Sequence, residues 1–308
     1  MKVAYVVERD GEREVVVGEG AKLVPGDAEV LVKVHAAGVT PSELSWYPTT
    51  HCKDGSPRVK AVPGHEFSGT IVEVGRDARG FSVDDAVYGM NDWFRDGATA
   101  EYCVTSPAML ARKPQKLTHA EAATVPIGAL TAWQALFERA RLQAGERILV
   151  HGGAGAVGAF VIQLAKMHGA EVIATATGVN LEFIESLKAD EVVDYRSVRF
   201  EDVIAKVDVV FDAVGGDTLE RSWRLLNPGG RAVTIAADSE GTSDPRVKNA
   251  FFIVETNQEQ LENVGLLIDG GTLRPFVGAV VPLSSAPAAY AGTVARRDGR
   301  GKVVVGME

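Results

Sequence analysis

A glycine-rich hexapeptide in the middle of the chain has the residue types and the spacing that bind a dinucleotide. Residues Gly153-Ala-Gly-Ala-Val-Gly158 fit the pattern G-x-G-x-x-G. An apolar segment that predicts a strand, Arg147 to His151, comes before them, and a segment that predicts a helix, Val157 to His168, follows. Strand, glycine turn and helix in this order are what a dinucleotide-binding turn requires, and they favour that function over a turn that serves packing alone.

Each glycine of this turn has a predicted role. Gly153 permits the tight turn, Gly155 lets the backbone approach a pyrophosphate, and Gly158 lets the helix pack closely on the strand. The N–H groups at the start of the helix then bind the phosphates. We expect the cofactor to contact the whole turn, which consists of Gly153, Ala154, Gly155, Ala156, Val157 and Gly158.

The next predicted strand bears on the choice between NAD and NADP. Dinucleotide sites specific for NAD usually place a carboxylate about 20 residues further on, against the ribose. The segment Ala174 to Asn180 contains no acid, so it leaves room for a 2′-phosphate, and Thr175, Thr177 and Asn180 could donate hydrogen bonds to it. The sequence favours NADP(H) without excluding NAD(H). Arg196 could also reach the phosphate, but we expect it to be a solvated surface charge.

The elements around the turn predict two kinds of domain. Residues 1 to about 120 contain short β-rich runs separated by Gly and Pro, which is typical of a barrel or sandwich. After Thr118, which with Glu121 forms a capping-box pattern, 119–142 predicts helix, and strands and helices then alternate. That alternation predicts a doubly wound parallel sheet. Strand-like runs at 276–283 and 302–305 suggest that the tail returns to the first domain.

Composition excludes several functional classes. The 308 residues are 46% hydrophobic and 24% charged, and the formal net charge is −9. An acidic chain disfavours a nucleic-acid partner, and no apolar stretch approaches the length of a membrane helix. The N-terminal run is too short for a secretory signal and predicts a first strand. Two cysteines make neither a disulfide framework nor a four-cysteine zinc site, so we expect a reduced, cytoplasmic protein.

Several motifs together resemble one superfamily, the medium-chain dehydrogenases/reductases. Pro63-Gly-His-Glu-Phe-Ser-Gly69 is similar to its P-G-H-E-x-x-G signature, and Val150 to Gly158 is similar to the nucleotide turn of its zinc-free branch of quinone oxidoreductases and zeta-crystallin-like enone reductases. Further similar segments are Ala189–Tyr195, Val209–Gly216, Asn227–Gly230 and Arg300–Val305. The resemblance implies a Rossmann domain at 125–275 and a GroES-like, β-barrel-type catalytic domain at 1–124 and 276–308.

The resemblance also implies that the catalytic zinc is absent. Zinc alcohol dehydrogenases are expected to carry a cysteine where this chain has Thr40, and a third ligand where it has Ile127. Of the ligands, only His65 remains, and one imidazole beside Glu66 does not make a three-ligand site. Cys52 or Cys103 could in principle complete a site with His65 and His51, but lone cysteines are usually small buried hydrophobes. We expect no metal.

By resemblance, the nicotinamide lies near Thr131, near Val214 and Gly215 after the fourth strand, and near Phe251, Phe252 and Ile253. For Thr131, an equally good interpretation is a residue inside a helix whose hydroxyl bonds its own backbone. For 251–253, the alternative is a buried strand of the Rossmann sheet. Tyr195 follows Asp194 in a similar segment, and we assign it to the cofactor as well.

Substrate contacts are expected from the loop Thr40 to Tyr47. Many zinc-free relatives have Asn at the position of Thr40 and Tyr near Ser45, and this departure leaves the acceptor open. Thr40 and Tyr47 are the candidate catalytic residues, with Tyr47 as proton donor or carbonyl anchor and solvent as the alternative donor. Trp46 and Trp93 could stack on a flat acceptor, although single tryptophans more often serve packing.

The predicted function is hydride transfer from NADPH to a quinone or an α,β-unsaturated carbonyl, without zinc. Two alternatives remain open: an enoyl-thioester reductase of the same fold, and a non-catalytic NADP(H)-binding sensor or partner protein. We expect a homodimer, because relatives often join their Rossmann sheets edge to edge. The segments 231–235 and 251–254 could supply that edge.

Overall fold

The computed structural model describes residues 1–307, and this chain forms two compact units. The first contains residues 1–127 and the chain from residue 255 onward, and the second contains 128–254. The predicted Rossmann domain, 125–275, extends further at its C-terminal side than the second unit does, because the helix at 258–269 groups with the first unit.

The first unit is rich in strands, as the frequent turn signals predict. Its β-strands are β1 Lys2–Arg9, β2 Glu12–Glu19, β3 Val30–Gly38, β4 Glu66–Val74, β5 Ala86–Met90, β6 Tyr102–Thr105, β7 Leu110–Arg112, β13 Val277–Pro282 and β14 Lys302–Gly306. Its helices are α1 Tyr47–Thr50, α2 His119–Ala122, α9 Gln258–Asp269 and α10 Ala286–Tyr290. Helix α3, Pro126–Trp133, contains the junction between the units.

A seven-stranded sheet forms the centre of the first unit. Its order is β13-β14-β3-β4-β5-β7, with β6 also paired to β3, while β1 and β2 form a separate antiparallel ribbon. Strand β14 pairs antiparallel with β3, which confirms that the tail returns to the first domain. The side chains of Val32, Phe67, Ile71 and Val87 are fully buried against the sheet.

The second unit alternates strands and helices. Its strands are β8 Arg147–His151, β9 Glu171–Ala176, β10 Glu191–Asp194, β11 Val207–Asp212 and β12 Leu226–Thr234. Its helices are α4 Gly158–Met167, α5 Leu181–Ser186, α6 Phe200–Val203, α7 Gly216–Ser222 and α8 Pro245–Ala250, with a π-helix at Gln134–Arg139.

All five strands of the second unit are parallel, in the order β10-β9-β8-β11-β12. This is the predicted doubly wound sheet. Ile148, Leu149 and Val150 of β8 are completely buried, as expected for a central strand covered on both faces. The carboxyl ends of β8, β9, β10 and β11 lie along one edge, where ligands of such sheets bind.

The long helix predicted at 119–142 is divided into three parts. Helix α2 ends at Ala122, α3 starts at Pro126, and a π-helix occupies 134–139. Proline lacks an N–H group and disfavours helix at the residue before it, so Pro126 starts a new helix rather than continuing the old one. The capping box is confirmed, because Thr118 accepts the N–H of Glu121 while the Glu121 carboxylate accepts from Thr118. None of the helices within residues 1–307 is long and apolar enough to cross a membrane.

Candidate active site

The turn after β8 is formed by a different glycine from the one predicted. Gly152 has φ +77°, a left-handed conformation that favours glycine, whereas Gly153 does not have positive φ. The assignment of the tight turn to Gly153 is therefore wrong. A Cβ atom on Gly153 would lie 3.1 Å from the side chains of Ile162 and Ile184, so this glycine instead lets α4 and α5 approach the turn.

Gly158 has the packing role that was predicted for it. A Cβ atom there would overlap the carbonyl oxygen of Gly152 and lie 2.8 Å from Cα of Gly153. Gly155 donates its N–H to the Gly152 carbonyl at 2.9 Å and leaves the outer side of the turn without a side chain. Helix α4 begins directly after this turn, and the N–H groups of Ala159, Phe160 and Val161 donate to the carbonyls of Gly155 and Val157. Within the described residues, the backbone N–H groups left for a ligand include those of Ala156, Val157 and Gly158. The arrangement can hold a pyrophosphate.

A cavity of about 470 Å³ lies against the carboxyl ends of the strands of the second unit. Predicted residues that line it are Ala154, Gly155, Ala156, Val157, Gly158, Thr175, Thr177, Asn180, Tyr195 and Val214. Residues that line it but were not predicted are His151, Gly152, Ala176, Phe200, Ala213, Thr218, Arg221 and Ile235. Gly153, Gly215, Thr131, Phe251, Phe252 and Ile253 do not line it. A cavity of this size at this edge fits a nucleotide.

The hydroxyl of Thr175, predicted to donate to a 2′-phosphate, serves another partner. Thr175 is buried, and its Oγ1 lies 2.9 Å from Nδ1 of His151. Thr177 and Asn180 stay at the cavity, where the Asn180 amide donates to Thr177 Oγ1 at 3.0 Å. Oδ1 of Asn180 is buried without a hydrogen-bond partner in the described chain. Of the three residues predicted to donate here, Thr177 and Asn180 therefore remain available at the cavity.

A carboxylate does lie beside the end of β9, and it comes from the neighbouring strand β10. Oδ2 of Asp194 is 3.0 Å from the position that a Cβ on Gly178 would occupy. The carboxylate accepts the hydroxyl of Ser197 at 2.8 Å and the N–H of Arg196 at 3.0 Å. These bonds, the one from Ser197 above all, lower the pKa of Asp194 and use its oxygens to hold the loop after β10. Arg196 itself is exposed and does not line the cavity, as expected.

His151 is a buried, neutral residue at the base of the cavity. Ser222 Oγ donates its hydrogen to the Thr218 carbonyl at 2.6 Å, so it accepts from Nε2 of His151 at 2.9 Å. Nδ1 of His151 then accepts the hydroxyl of Thr175. Burial, together with the nearby charge of Arg221, lowers the pKa of His151 to about 3. No sequence pattern indicated this role, because its two partners come from different elements, Thr175 from β9 and Ser222 from α7.

The loop after β11 is shaped by a buried carboxylate. Asp212 accepts the N–H groups of Val214 and Gly215 at 3.1 and 3.0 Å and the hydroxyl of Thr234 at 2.8 Å. Burial raises the pKa of Asp212 despite these bonds. Gly215 has φ +79°, which lets the loop turn there and leaves Val214 at the cavity.

Residues 251–253 do not form the strand that the sequence predicts. Phe251 makes one isolated parallel bridge to Thr234, and no ladder follows it. Phe252 is buried and packs under the guanidinium of Arg139, with Cζ 5.3 Å from its ring centroid, whereas Ile253 is 49% exposed. Thr131 is buried within α3.

The candidate substrate loop belongs to the first unit. Thr40 precedes a 3-10 turn at Pro41–Ser45, and its hydroxyl is buried without a hydrogen-bond partner in the described chain. Tyr47 begins α1, is about half exposed, and stacks in parallel on the ring of His51 at 4.3 Å. Trp46 and Trp93 contact each other edge to face at 4.9 Å, so they form one aromatic cluster rather than two separate surfaces.

The histidine of the P-G-H-E motif has both ring nitrogens in hydrogen bonds. Nδ1 of His65 lies 2.7 Å from Oε2 of Glu43, and Nε2 lies 3.1 Å from the carbonyl oxygen of Arg95. A carbonyl oxygen only accepts, so Nε2 carries a hydrogen and has no lone pair for a metal. Glu43 also accepts the N–H of Gly64 at 3.0 Å. The residues present do not fit a zinc site around His65.

The adjacent glutamate is paired as well. Glu66 is fully buried, accepts the N–H of Ile127 at 3.0 Å, and forms an ion pair with Lys302 of β14. Burial lowers the pKa of Lys302 to about 8, and the carboxylate of Glu43 opposes that shift. Glu43 and Lys302 are residues that the sequence reasoning missed.

The two cysteines are free. Cys103 is buried in β6, and burial raises the pKa of its thiol, so it behaves as a small hydrophobe. Cys52 is partly exposed in the loop after α1. Within residues 1–307, no group of three or more His, Cys, Asp or Glu side chains is arranged to hold a metal ion.

Comparison with known proteins agrees with this fold. A model described as "Alcohol dehydrogenase GroES-like domain" matches residues 26–129, and one described as "Zinc-binding dehydrogenase" matches 187–305. A probable zinc-binding mitochondrial oxidoreductase of Arthroderma benhamiae is 33% identical over 299 residues, covering 91% of this chain and 88% of the relative. An NADPH-dependent chloroplastic alkenal/one oxidoreductase of Arabidopsis thaliana is 33% identical over 284 residues, covering 89% and 71%.

Among solved structures, the quinone oxidoreductase from Coxiella burnetii superimposes with a TM-score of 0.85 at 28% identity over the full length of both chains. A GroES-like unit and a Rossmann unit with a cavity at the carboxyl ends of its strands define a two-domain oxidoreductase that uses a nicotinamide cofactor. The chain belongs to the medium-chain dehydrogenase/reductase superfamily.

Proposed function

We propose that the protein is an NADPH-dependent, zinc-independent reductase that transfers a hydride to a quinone or an α,β-unsaturated carbonyl. The observation that carries the proposal is His65, which resembles a zinc ligand in sequence but donates from its Nε2 to a backbone carbonyl. Without a Lewis acid to polarise an alcohol, the acceptor must already be electrophilic. The similarity to a quinone oxidoreductase and to an alkenal/one oxidoreductase supports this substrate class.

The second unit would hold the cofactor, which supplies the hydride when bound. The N-terminus of α4 and the backbone at Gly155 would bind the pyrophosphate. Thr177, Asn180 and Tyr195 would surround the adenosine ribose. Val214, held by the Asp212 carboxylate through the loop after β11, would border the nicotinamide half. The resemblance alone supports three further proposed contacts to the nicotinamide, which are Thr131, Gly215 and 251–253.

The preference for NADPH rests on the end of β9. No acidic side chain lines the cavity, and the nearest carboxylate, Asp194, is occupied by Ser197 and by backbone N–H groups. A ribose hydroxyl therefore finds no carboxylate acceptor there, and the amide of Asn180 can donate to a phosphate once it leaves Thr177. We infer that the 2′-phosphate is tolerated at this point and that NADPH binds more tightly than NADH.

On the first unit, the loop from Thr40 to Tyr47 would receive the acceptor. The buried hydroxyl of Thr40 lacks a partner in the described chain and could donate to a carbonyl oxygen. Tyr47 would give a proton to the enolate that hydride addition to an enone leaves, or would anchor its oxygen. The cluster of Trp46 and Trp93 offers an aromatic edge for a planar acceptor.

Fluorescence titration with NADPH and NADH separately, followed by addition of an acceptor, tests this function. The acceptors are 9,10-phenanthrenequinone, a small enone and crotonyl-CoA, and the metal content of the purified protein is measured in parallel. We expect tighter NADPH binding, quinone- or enone-dependent oxidation and activity that survives a chelator. Oxidation with crotonyl-CoA alone would favour the enoyl-thioester reductase, and tight binding without any turnover would favour the non-catalytic protein.

We also propose a homodimer in the cytoplasm. Strand β12 lies at the end of the parallel sheet, and only the isolated bridge between Thr234 and Phe251 covers it there within the described residues. An open strand edge beside the exposed Ile253 suits pairing with a second copy. Light scattering after size exclusion tests this, and a mass of one chain would contradict it. The cytoplasmic location rests on the two free cysteines.

A further inference from the structure

One arginine that no sequence pattern indicated forms part of the cavity wall. Arg221 lies on α7, and its Cζ is 4.6 Å from the ring centroid of Phe200, which also lines the cavity. Two of its guanidinium nitrogens are held by carboxylates. Nη1 lies 2.8 Å from Oε2 of Glu201, and Nε lies 2.8 Å from Oδ2 of Asp217. The side chain is thus fixed on both sides rather than free in solvent.

Glu201 is the group that fixes it. Its side chain is completely buried, and Arg199 and Arg221 each lie 2.8 Å from its oxygens, while Arg224 lies 3.5 Å away. Burial alone would raise the pKa of Glu201, but a backbone N–H and the two nearer guanidinium groups outweigh burial and lower it to about 2. The carboxylate therefore stays ionised and holds Arg221 in a defined position.

The position of Arg221 corresponds to the adenosine half of the cavity. Helix α7 follows β11, but the side chain of Arg221 reaches Phe200 and Glu201, which come just after β10. In the sheet, β9 and β10 lie on one side of β8 and β11 lies on the other. Because the ribose of a dinucleotide lies at the end of the second strand, here β9, its base must occupy the space toward β10.

The charges around Arg221 favour a neutral base over a phosphate. The three arginines around Glu201 are balanced by three carboxylates, since Asp217 pairs with Arg221 and Asp202 pairs with the other two, so little net positive charge is left for an anion. Its Nη2 group forms no hydrogen bond within residues 1–307. A planar cation with spare N–H donors suits an aromatic ring that carries acceptor nitrogens, which describes adenine.

We propose that Arg221, positioned by Glu201 and packed on Phe200, recognises the adenine ring of the cofactor. Arg221 would contact the base through its guanidinium plane and through Nη2, and Glu201 would be a positioning residue. The inference rests on the proposed cofactor site, but it does not depend on the choice between NADP and NAD, because both contain adenine.

The test measures how tightly the wild type and two variants bind a ligand that contains adenine and a ligand that lacks it. Arg221→Gln removes the cavity cation, while Arg224→Gln removes another arginine from the same carboxylate without changing the cavity lining. ADP-ribose binding is measured by calorimetry, and binding of reduced nicotinamide mononucleotide by its fluorescence. We expect Arg221→Gln to weaken ADP-ribose about tenfold and to leave the mononucleotide within twofold, with Arg224→Gln close to wild type for both.

A second variant covers the case in which Arg221→Gln does not fold. Arg221→Lys keeps the charge for Glu201 but loses the planar group, so we expect ADP-ribose to weaken at least threefold while the melting temperature stays near that of wild type. Equal ADP-ribose affinity in the wild type, Arg221→Lys and Arg224→Gln would overturn the assignment. If the wild type binds NADPH and NADH but the variants do not differ, only this inference fails. If the wild type binds neither, the proposed function fails with it.

Discussion

Nδ1 of His65 and Oε2 of Glu43 lie 2.7 Å apart in the interior of the first unit, where both side chains are buried. Nε2 of the same ring faces the carbonyl oxygen of Arg95 at 3.1 Å, and a carbonyl only accepts. The carboxylate is saturated by the ring, by the N–H of Gly64 and by the hydroxyl of Tyr290. Because Nδ1 bonds the carboxylate and Nε2 donates to the carbonyl, neither ring nitrogen is open to a metal, and His65 is a structural residue.

The pair makes a first prediction. Glu43→Gln puts an NH₂ donor in place of one of the two carboxylate oxygens that bond Gly64 and His65, and should lower the free energy of unfolding by about 2 kcal/mol, because one buried hydrogen bond is lost. Urea denaturation measures this. Glu12→Gln, at an exposed position of β2, is the control and should change stability by less than about 0.5 kcal/mol. A change of that small size for Glu43→Gln would show that the hydrogen bonds of Glu43 do not stabilise the interior of this unit.

Gly155 and Gly158 of the nucleotide turn should respond differently to alanine. In Gly158→Ala the new Cβ overlaps the Gly152 carbonyl oxygen, so we expect a loss of about 1–3 kcal/mol of stability together with weaker cofactor binding. In Gly155→Ala the new Cβ is 3.1 Å from the same oxygen, which a small adjustment relieves, but it occupies the approach of the pyrophosphate.

We therefore expect Gly155→Ala to keep its melting temperature within a few degrees and to lose at least about tenfold in NADPH affinity. Thermal unfolding and nicotinamide fluorescence measure the two effects on the same samples. Unchanged affinity in Gly155→Ala would mean that the phosphates do not pass over this residue.

The parallel sheet and its nucleotide turn could be predicted because their signals are local. Strand β8, the glycines and α4 follow one another within about twenty residues, and the limits of β8 and α4 differ from the predicted ones by at most one residue. The tight turn was predicted at Gly153 but is formed by Gly152, one residue earlier. The pattern G-x-G-x-x-G does not indicate which glycine has positive φ.

The contacts that complete the cavity could not be predicted because they join distant parts of the chain. His151 bonds Thr175 and Ser222, which are 24 and 71 residues away. Arg221 meets Glu201 from another helix. In the sequence, each of these residues is an isolated polar position with no periodic or spaced partner. Glu66 belongs to the P-G-H-E motif, but nothing in the sequence indicates its partner Lys302, which is 236 residues away.

Acid should destabilise the protein well before its carboxylates are protonated. The pKa of His151 is lowered to about 3 by burial and by Arg221, and that of His119 to about 4 by burial and by His35 and Lys113. In the unfolded chain both histidines titrate near 6.5. Between about pH 6 and pH 4 the unfolded state therefore binds more protons than the folded state, so stability falls as pH falls.

The expected contribution of His151 is about 1.4 kcal/mol per pH unit in that window, from one proton taken up on unfolding. Urea denaturation at pH 7.5, 6.0, 5.0 and 4.5 measures the slope. His151→Gln should reduce the slope between pH 6 and 4.5 and leave it unchanged above pH 7, where the histidine of the unfolded chain is neutral too. An identical acid slope in the variant would show that His151 is not held neutral in the folded state.

The role of Tyr47 distinguishes the two acceptor types. Hydride addition to an enone leaves an enolate that must be protonated, whereas quinone reduction leaves a hydroquinone anion that can depart and take its proton from water. If Tyr47 is the donor, Tyr47→Phe should lower kcat for a small enone by about 10²-fold or more and change kcat for 9,10-phenanthrenequinone much less. Tyr5→Phe is the control because it removes the same kind of hydroxyl from a residue with no proposed role in the reaction. The Tyr5 hydroxyl, on β1, donates to the carbonyl of Glu19. An equal rate for the enone in wild type and Tyr47→Phe would identify solvent as the proton source.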